Sequence, residues 1–75
     1  MSEGLPSPSW RRVVKALGRA GFRVVHRRGS HIYLTDGEHK LTVPRHGAIK
    51  RGTLLSIIHQ SGLSREEFIK LLRGR

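Results

Sequence analysis

His31 follows Gly29-Ser30 in the stretch Gly21-Phe22-Arg23-Val24-Val25-His26-Arg27-Arg28-Gly29-Ser30-His31-Ile32-Tyr33-Leu34, with three arginines close by in sequence. An imidazole among fixed cations suits proton transfer near neutral pH at a phosphate, whose growing negative charge the cations stabilise. RNA offers such a substrate because its ribose carries an internal nucleophile, the 2′-OH. The other four histidines are weaker candidates. His26 is expected to face inward beside a turn, and His39 and His59 read as solvated side chains. His46 lies in a basic loop, within reach of a phosphate. A histidine on a sheet is also a common structural residue, and the basic surroundings are what single out His31.

The acids narrow the chemistry further. They are Glu3, Asp36, Glu38, Glu66 and Glu67, in a leader, a turn and a helix cap. Two-metal nucleases need clustered carboxylates for hard cations, and none are expected beside His31. The histidine spacings match no zinc motif, there is no cysteine, and no metal or other cofactor is expected. A Ser-His-Asp triad lacks its acid, and Gly47 and Gly52 alone make no nucleotide-binding loop. Lys50-Arg51-Gly52-Thr53 does precede a predicted helix, whose free N–H groups suit a backbone phosphate.

Positioning these residues requires a sheet. Taking Arg27-Arg28-Gly29 as a three-residue hairpin loop sets His26 opposite Ser30, Val24 opposite Ile32 and Phe22 opposite Leu34. Phe22, Val24, Ile32 and Leu34 then share an apolar face, while Arg23, Val25, His31 and Tyr33 share the other. Asp36-Gly37 reads as a two-residue turn that pairs Ile32 with Leu41, His31 with Thr42 and Tyr33 with Lys40. Both turns put Ile32 and Leu34 on the core side, with Leu41 and Val43 joining them. Before the sheet, Ser9 caps a helix from Trp10 to Gly21, with Trp10, Val13, Val14 and Leu17 on its inner side. After Pro44 and a basic loop, Leu54, Leu55, Ile57 and Ile58 mark a second helix from about Thr53 to Gly62. Ser64 and Glu67 open a third with capping-box spacing. The order α-β-β-β-α-α predicts an α+β two-layer fold, a three-stranded antiparallel sheet with helices on one face and the other face open. Residues 1–8 read as a flexible leader and 9–73 as a single domain.

Fifteen Lys and Arg against five Asp and Glu give a net charge of +10 in 75 residues. So small and basic a chain points to a polyanion, with RNA as the first choice. The charge is not gathered on one face of a long amphipathic helix, which argues against a membrane surface. With no apolar run of membrane-spanning length and no secretory leader, a cytoplasmic protein, monomeric when free, is expected.

Gly21-Phe22, Gly29-Ser30-His31, Leu41-Thr42-Val43-Pro44 with His46-Gly47, and Gly52-Thr53-Leu54 with Ile57 together resemble the HicA (YcfA/HicA) toxins over residues 9–72. The spaced set is specific, whereas Gly-Ser-His alone would be weak. The resemblance implies a double-stranded-RNA-binding-domain-like fold and an mRNA-cleaving ribonuclease of a toxin–antitoxin pair, held inactive by a HicB antitoxin. It also implies that His31 is the catalytic histidine and that Gly29 matches the family's glycine. The lopsided charge makes an acidic partner the expected one. The RNA-contacting candidates are Arg23, Arg27, Arg28, Gly29, Ser30, Tyr33, Lys40, Arg45, Lys50 and Arg51. Two other functions fit the same charge: a non-catalytic RNA-binding module, and a small protein that only holds an acidic partner. Turnover of labelled RNA separates the first reading from both.

Overall fold

The computed structural model describes residues 7–74; residues 1–6 of the expected leader lie outside the described residues. Helix α1 (Trp10–Arg19) leads into strands β1 (Arg23–Arg28), β2 (His31–Thr35) and β3 (Lys40–Pro44), followed by α2 (Arg51–Ser61) and α3 (Arg65–Leu72). The strands form one antiparallel sheet in the order β1-β2-β3. This is the α+β architecture that periodicity predicts.

The helix ends follow from local chemistry. The Ser9 hydroxyl accepts the Arg12 N–H at the start of α1, and Ser64 and Glu67 close a reciprocal capping box on α3. The box holds the Glu67 carboxyl below its ordinary range, chiefly through hydrogen bonding to the Ser64 backbone. Arg12 and Arg19, both exposed, donate to the Leu72 and Leu71 carbonyls at 3.3 and 2.8 Å. Arg12 gives the Leu72 carbonyl at the end of α3 a partner, and Arg19 adds to the Gly74 N–H that Leu71 already accepts.

The core lies between the helices and the inner side of β2 and β3. Val13, Ala16 and Leu17 of α1 meet Phe22, Ile32, Leu34, Leu41 and Val43, with Leu54, Ile57 and Phe68 from the later helices. Both α1 and α2 contact β3, and α3 packs on α1. Strand β1 is exposed along its whole length, so the helical layer covers only part of the sheet.

Both hairpins differ in register from the sequence reading. The first has a two-residue loop, Gly29-Ser30, so Arg28 pairs with His31, Arg27 with Ile32 and His26 with Tyr33. Gly29 has φ 58 and Ser30 is not in the left-handed region. Glycine at the first central position is the type II′ pattern, whose twist matches that of paired strands. The register beside the turn moves by three residues, an odd number that would turn the apolar set of β1 outward. A bulge at Val25 absorbs the odd residue, and Val24 pairs with Leu34 and Arg23 with Thr35 beyond that point.

In the second hairpin the loop is Asp36-Gly37-Glu38-His39, so Ile32 pairs with Val43, Tyr33 with Thr42 and Thr35 with Lys40. The Asp36 carboxylate explains the longer loop. Its Oδ1 accepts the N–H groups of Glu38 and His39, and Oδ2 lies 3.0 Å from His39 Nδ1. The shift is two residues, so every side chain keeps its predicted face.

A candidate RNA-cleaving site at the start of helix α2

The Ser9–Ala48 bridge joins the chain before α1 to the chain before α2. Ile49 N–H donates to the Pro8 carbonyl at 2.8 Å and Trp10 N–H to the Gly47 carbonyl at 3.1 Å. At the sheet, Arg45 N–H donates to the Ser30 carbonyl at 2.6 Å. The loop from Arg45 to Lys50 is therefore held at its first residue against the start of β2 and further on against the chain before α1. Between them lies a cavity of about 300 Å³, bordered by His31, Pro44, His46, Ile49, Lys50 and Thr53.

One wall of this cavity is the first turn of α2. Lys50 is its N-cap residue, in extended backbone, and no side chain caps the helix. The N–H groups of Arg51, Gly52 and Thr53 occupy the positions a helix leaves without partners. With the helix dipole they favour an anion. Space around Gly52 is open where a side chain would project. The Lys50 and Arg51 side chains are exposed, and His31 and His46 supply two titratable rings.

The predicted site residues divide by position. His31 and Lys50 border the cavity, and Arg51 begins the adjoining helix. Arg28 pairs with His31 across the strands, and Gly29 and Ser30 form the turn between them. Arg45 lies in the loop with its guanidinium 5.3 Å from the Trp10 ring, which Arg11 also approaches at 5.1 Å. Tyr33 shares the open face with His31, two residues along β2. Arg23 and Lys40 flank Thr35 at the far end of that face. Arg27 is not with them. It pairs with Ile32 on the opposite face, because the two-residue turn draws Arg27 and Arg28 into the strand.

Three residues outside the predicted set belong here. His46 and Thr53 line the cavity. His46 carried a sequence signal, its place in a basic loop, and Thr53 carried one in its closeness to a helix start. His26, expected to face inward, is exposed on the open face, where its ring stacks with Tyr33 at 5.4 Å between centroids. The Val25 bulge is the reason, and nothing in the local pattern marks it.

Asp36 and Glu38 lie in the β2–β3 loop and Glu66 and Glu67 in the first turn of α3, so none borders the cavity. Among the described residues, no group of three His, Asp or Glu side chains could hold a metal ion. No helix among the described residues is long and apolar enough to cross a membrane.

The fold is a small α+β domain with one open sheet face, and its cavity brings His31 and His46 beside Lys50. Residues 10–63 match the family model described as the HicA toxin of bacterial toxin–antitoxin systems, and the chain belongs to that family. It is accordingly a toxin with an antitoxin as its partner. No curated protein matches the chain. The matched span runs from the first residue of α1 past the end of α2 and includes the whole cavity.

Proposed function

We propose that this HicA-family toxin is a metal-independent endoribonuclease acting on mRNA, with His31 as its catalytic residue. The observation that carries the reading is the shared cavity of His31, His46 and Lys50 at the uncapped start of α2. A scissile phosphate there has its non-bridging oxygens toward the free N–H groups of residues 51–53 and the Lys50 ammonium. These donors stabilise the added charge of the pentacoordinate phosphorus.

The reaction needs one base and one acid. His31 removes the proton of the 2′-OH as its oxygen bonds to phosphorus. His46 delivers a proton to the 5′-oxygen as the P–O bond to it breaks. The products are a 2′,3′-cyclic phosphate and a free 5′-hydroxyl. No redox step and no bound cofactor are required. The antitoxin is an acidic, HicB-type protein that covers the open face and the cavity, blocking RNA by occupancy.

The direct test is cleavage of labelled RNA by wild type and His31→Ala, together with growth arrest on expression in a bacterial host. Cleavage and arrest should both require His31. RNA retained by the wild type without any turnover would instead select the RNA-binding module.

A further inference from the structure

His26 and Tyr33 pair across β1 and β2 on the open face of the sheet, opposite the core. Their rings stand 5.4 Å apart with planes inclined by 30°. His26 is exposed and Tyr33 half-buried. The Val25 bulge is what brings the imidazole to this face, and bulges beside functional sites often re-aim a side chain in this way. Val25 itself is 54% exposed. It borders a cleft of about 220 Å³ with Tyr33, Thr35, Lys40, Thr42 and, from α2, Gln60.

The pair lies one step from the cavity. His31 and Tyr33 share a face of β2 two residues apart, about 7 Å along the strand, the scale of one nucleotide step. Their partners Arg28 and His26 repeat that spacing on β1. Arg23, Arg28 and Lys40 set cations around the rings on the same face. An open sheet carrying aromatic rings bordered by cations is suited to single-stranded RNA, because every base has a π-face and the phosphates track the cations. A double helix keeps its bases stacked internally and offers these rings nothing.

We propose that His26 and Tyr33 form a stacking subsite for the base of a nucleotide adjoining the scissile phosphate, making the open sheet face a platform for single-stranded RNA. The subsite rests on the ribonuclease reading for its place beside the scissile bond, but its occupancy is measurable without cleavage. The base is held by its face, so the subsite selects unpaired RNA more than a particular sequence.

The experiment measures binding of short, labelled single-stranded RNA in a His31→Ala background, which prevents turnover. Tyr33→Leu and His26→Ala should each weaken binding by roughly 5- to 100-fold, while Tyr33→Phe retains it. The log–log salt slope should not change in these variants, since no phosphate contact is lost. An abasic nucleotide moved along the RNA should weaken binding at one position, and Tyr33→Leu should remove that sensitivity. Circular dichroism checks folding, and both residues lie outside the hydrophobic core. Unchanged affinity in folded Tyr33→Leu, or no sensitive abasic position, overturns the subsite. So does a loss of affinity confined to an acidic protein partner. If the abasic pattern is found but wild-type protein never cuts RNA, the ribonuclease reading fails and the subsite stands.

Discussion

His31 owes its position to one local turn, and its neighbours to one long-range bond. The Gly29-Ser30 turn starts β2 at His31, and the Arg45 N–H bond to the Ser30 carbonyl brings the His46 loop alongside. The His31 side chain bears no part of the core. His31→Ala should therefore change folding stability by only about ±0.5 kcal/mol, measured by chemical denaturation, while abolishing RNA cleavage. His46→Ala should slow cleavage by about 10²–10⁴ with similar RNA affinity, the usual loss when one proton-transfer group is removed. Asp36 makes a different prediction. Backbone and side-chain bonds to His39 lower its carboxyl from 3.8 to about 2. Its contribution to stability is complete above the unfolded value of 3.8 and is lost as pH falls through about 2. Wild-type melting temperature should therefore fall more steeply than that of Asp36→Asn across this acid window. Parallel curves would show that the Asp36 bonds do not couple to folding. At this scale the exposed face of His31 was legible from strand alternation, although its turn was not. His26 was not, since its face depends on a bulge that the run Val24-Val25-His26 does not announce.

At the scale of elements, hydrophobic alternation proved more robust than turn chemistry. Ile32, Leu34, Leu41 and Val43 all occupy the expected inner face although both loop lengths differ. A two-residue shift preserves faces in the second hairpin, whereas in the first the bulge restores them only for Arg23 and Val24, with Val24 left partly exposed and His26 turned to the open face. The four-residue loop followed from Asp36 bonding two N–H groups, which an Asp-Gly pair alone does not reveal. Ile32→Ala, Leu41→Ala or Val43→Ala should cost about 1–5 kcal/mol in denaturant titrations. Tyr33→Ala or Arg23→Ala should cost less, and the reverse order would invert the faces assigned to the sheet. Helix α2 tests the anion site. Replacing Lys50 and Arg51 together should flatten the log–log salt dependence of RNA binding by roughly one to two units, at ~0.7 per single-strand phosphate contact. An unchanged slope would remove the start of α2 from the RNA path.

Across the whole molecule, the net charge of +10 suits both partners proposed for the toxin. RNA and an acidic antitoxin would compete for one basic surface, so inhibition needs no conformational switch. Hydrogen–deuterium exchange of the complex should protect residues 27–33 and 40–47, the strands and loops around His31. Protection confined to α1 and α3 would require inhibition at a distance. Fold order, helix caps and overall charge were all legible in the sequence because each has a local or compositional cause. The junction of His31, His46 and the start of α2 was only partly so, because it depends on long-range bonds from Pro8, Gly47 and Ser30. That junction carries the central claim, and one measurement tests it most directly: cleavage, in excess EDTA, of an RNA with a single 2′-deoxy sugar at a mapped scissile position. The unmodified RNA should be cut to a 2′,3′-cyclic phosphate and a 5′-hydroxyl, and the modified RNA should bind yet stay intact at that bond. Cleavage of the modified bond, a 5′-phosphate product, or loss of all activity with EDTA would contradict histidine catalysis of attack by the RNA's own 2′-OH.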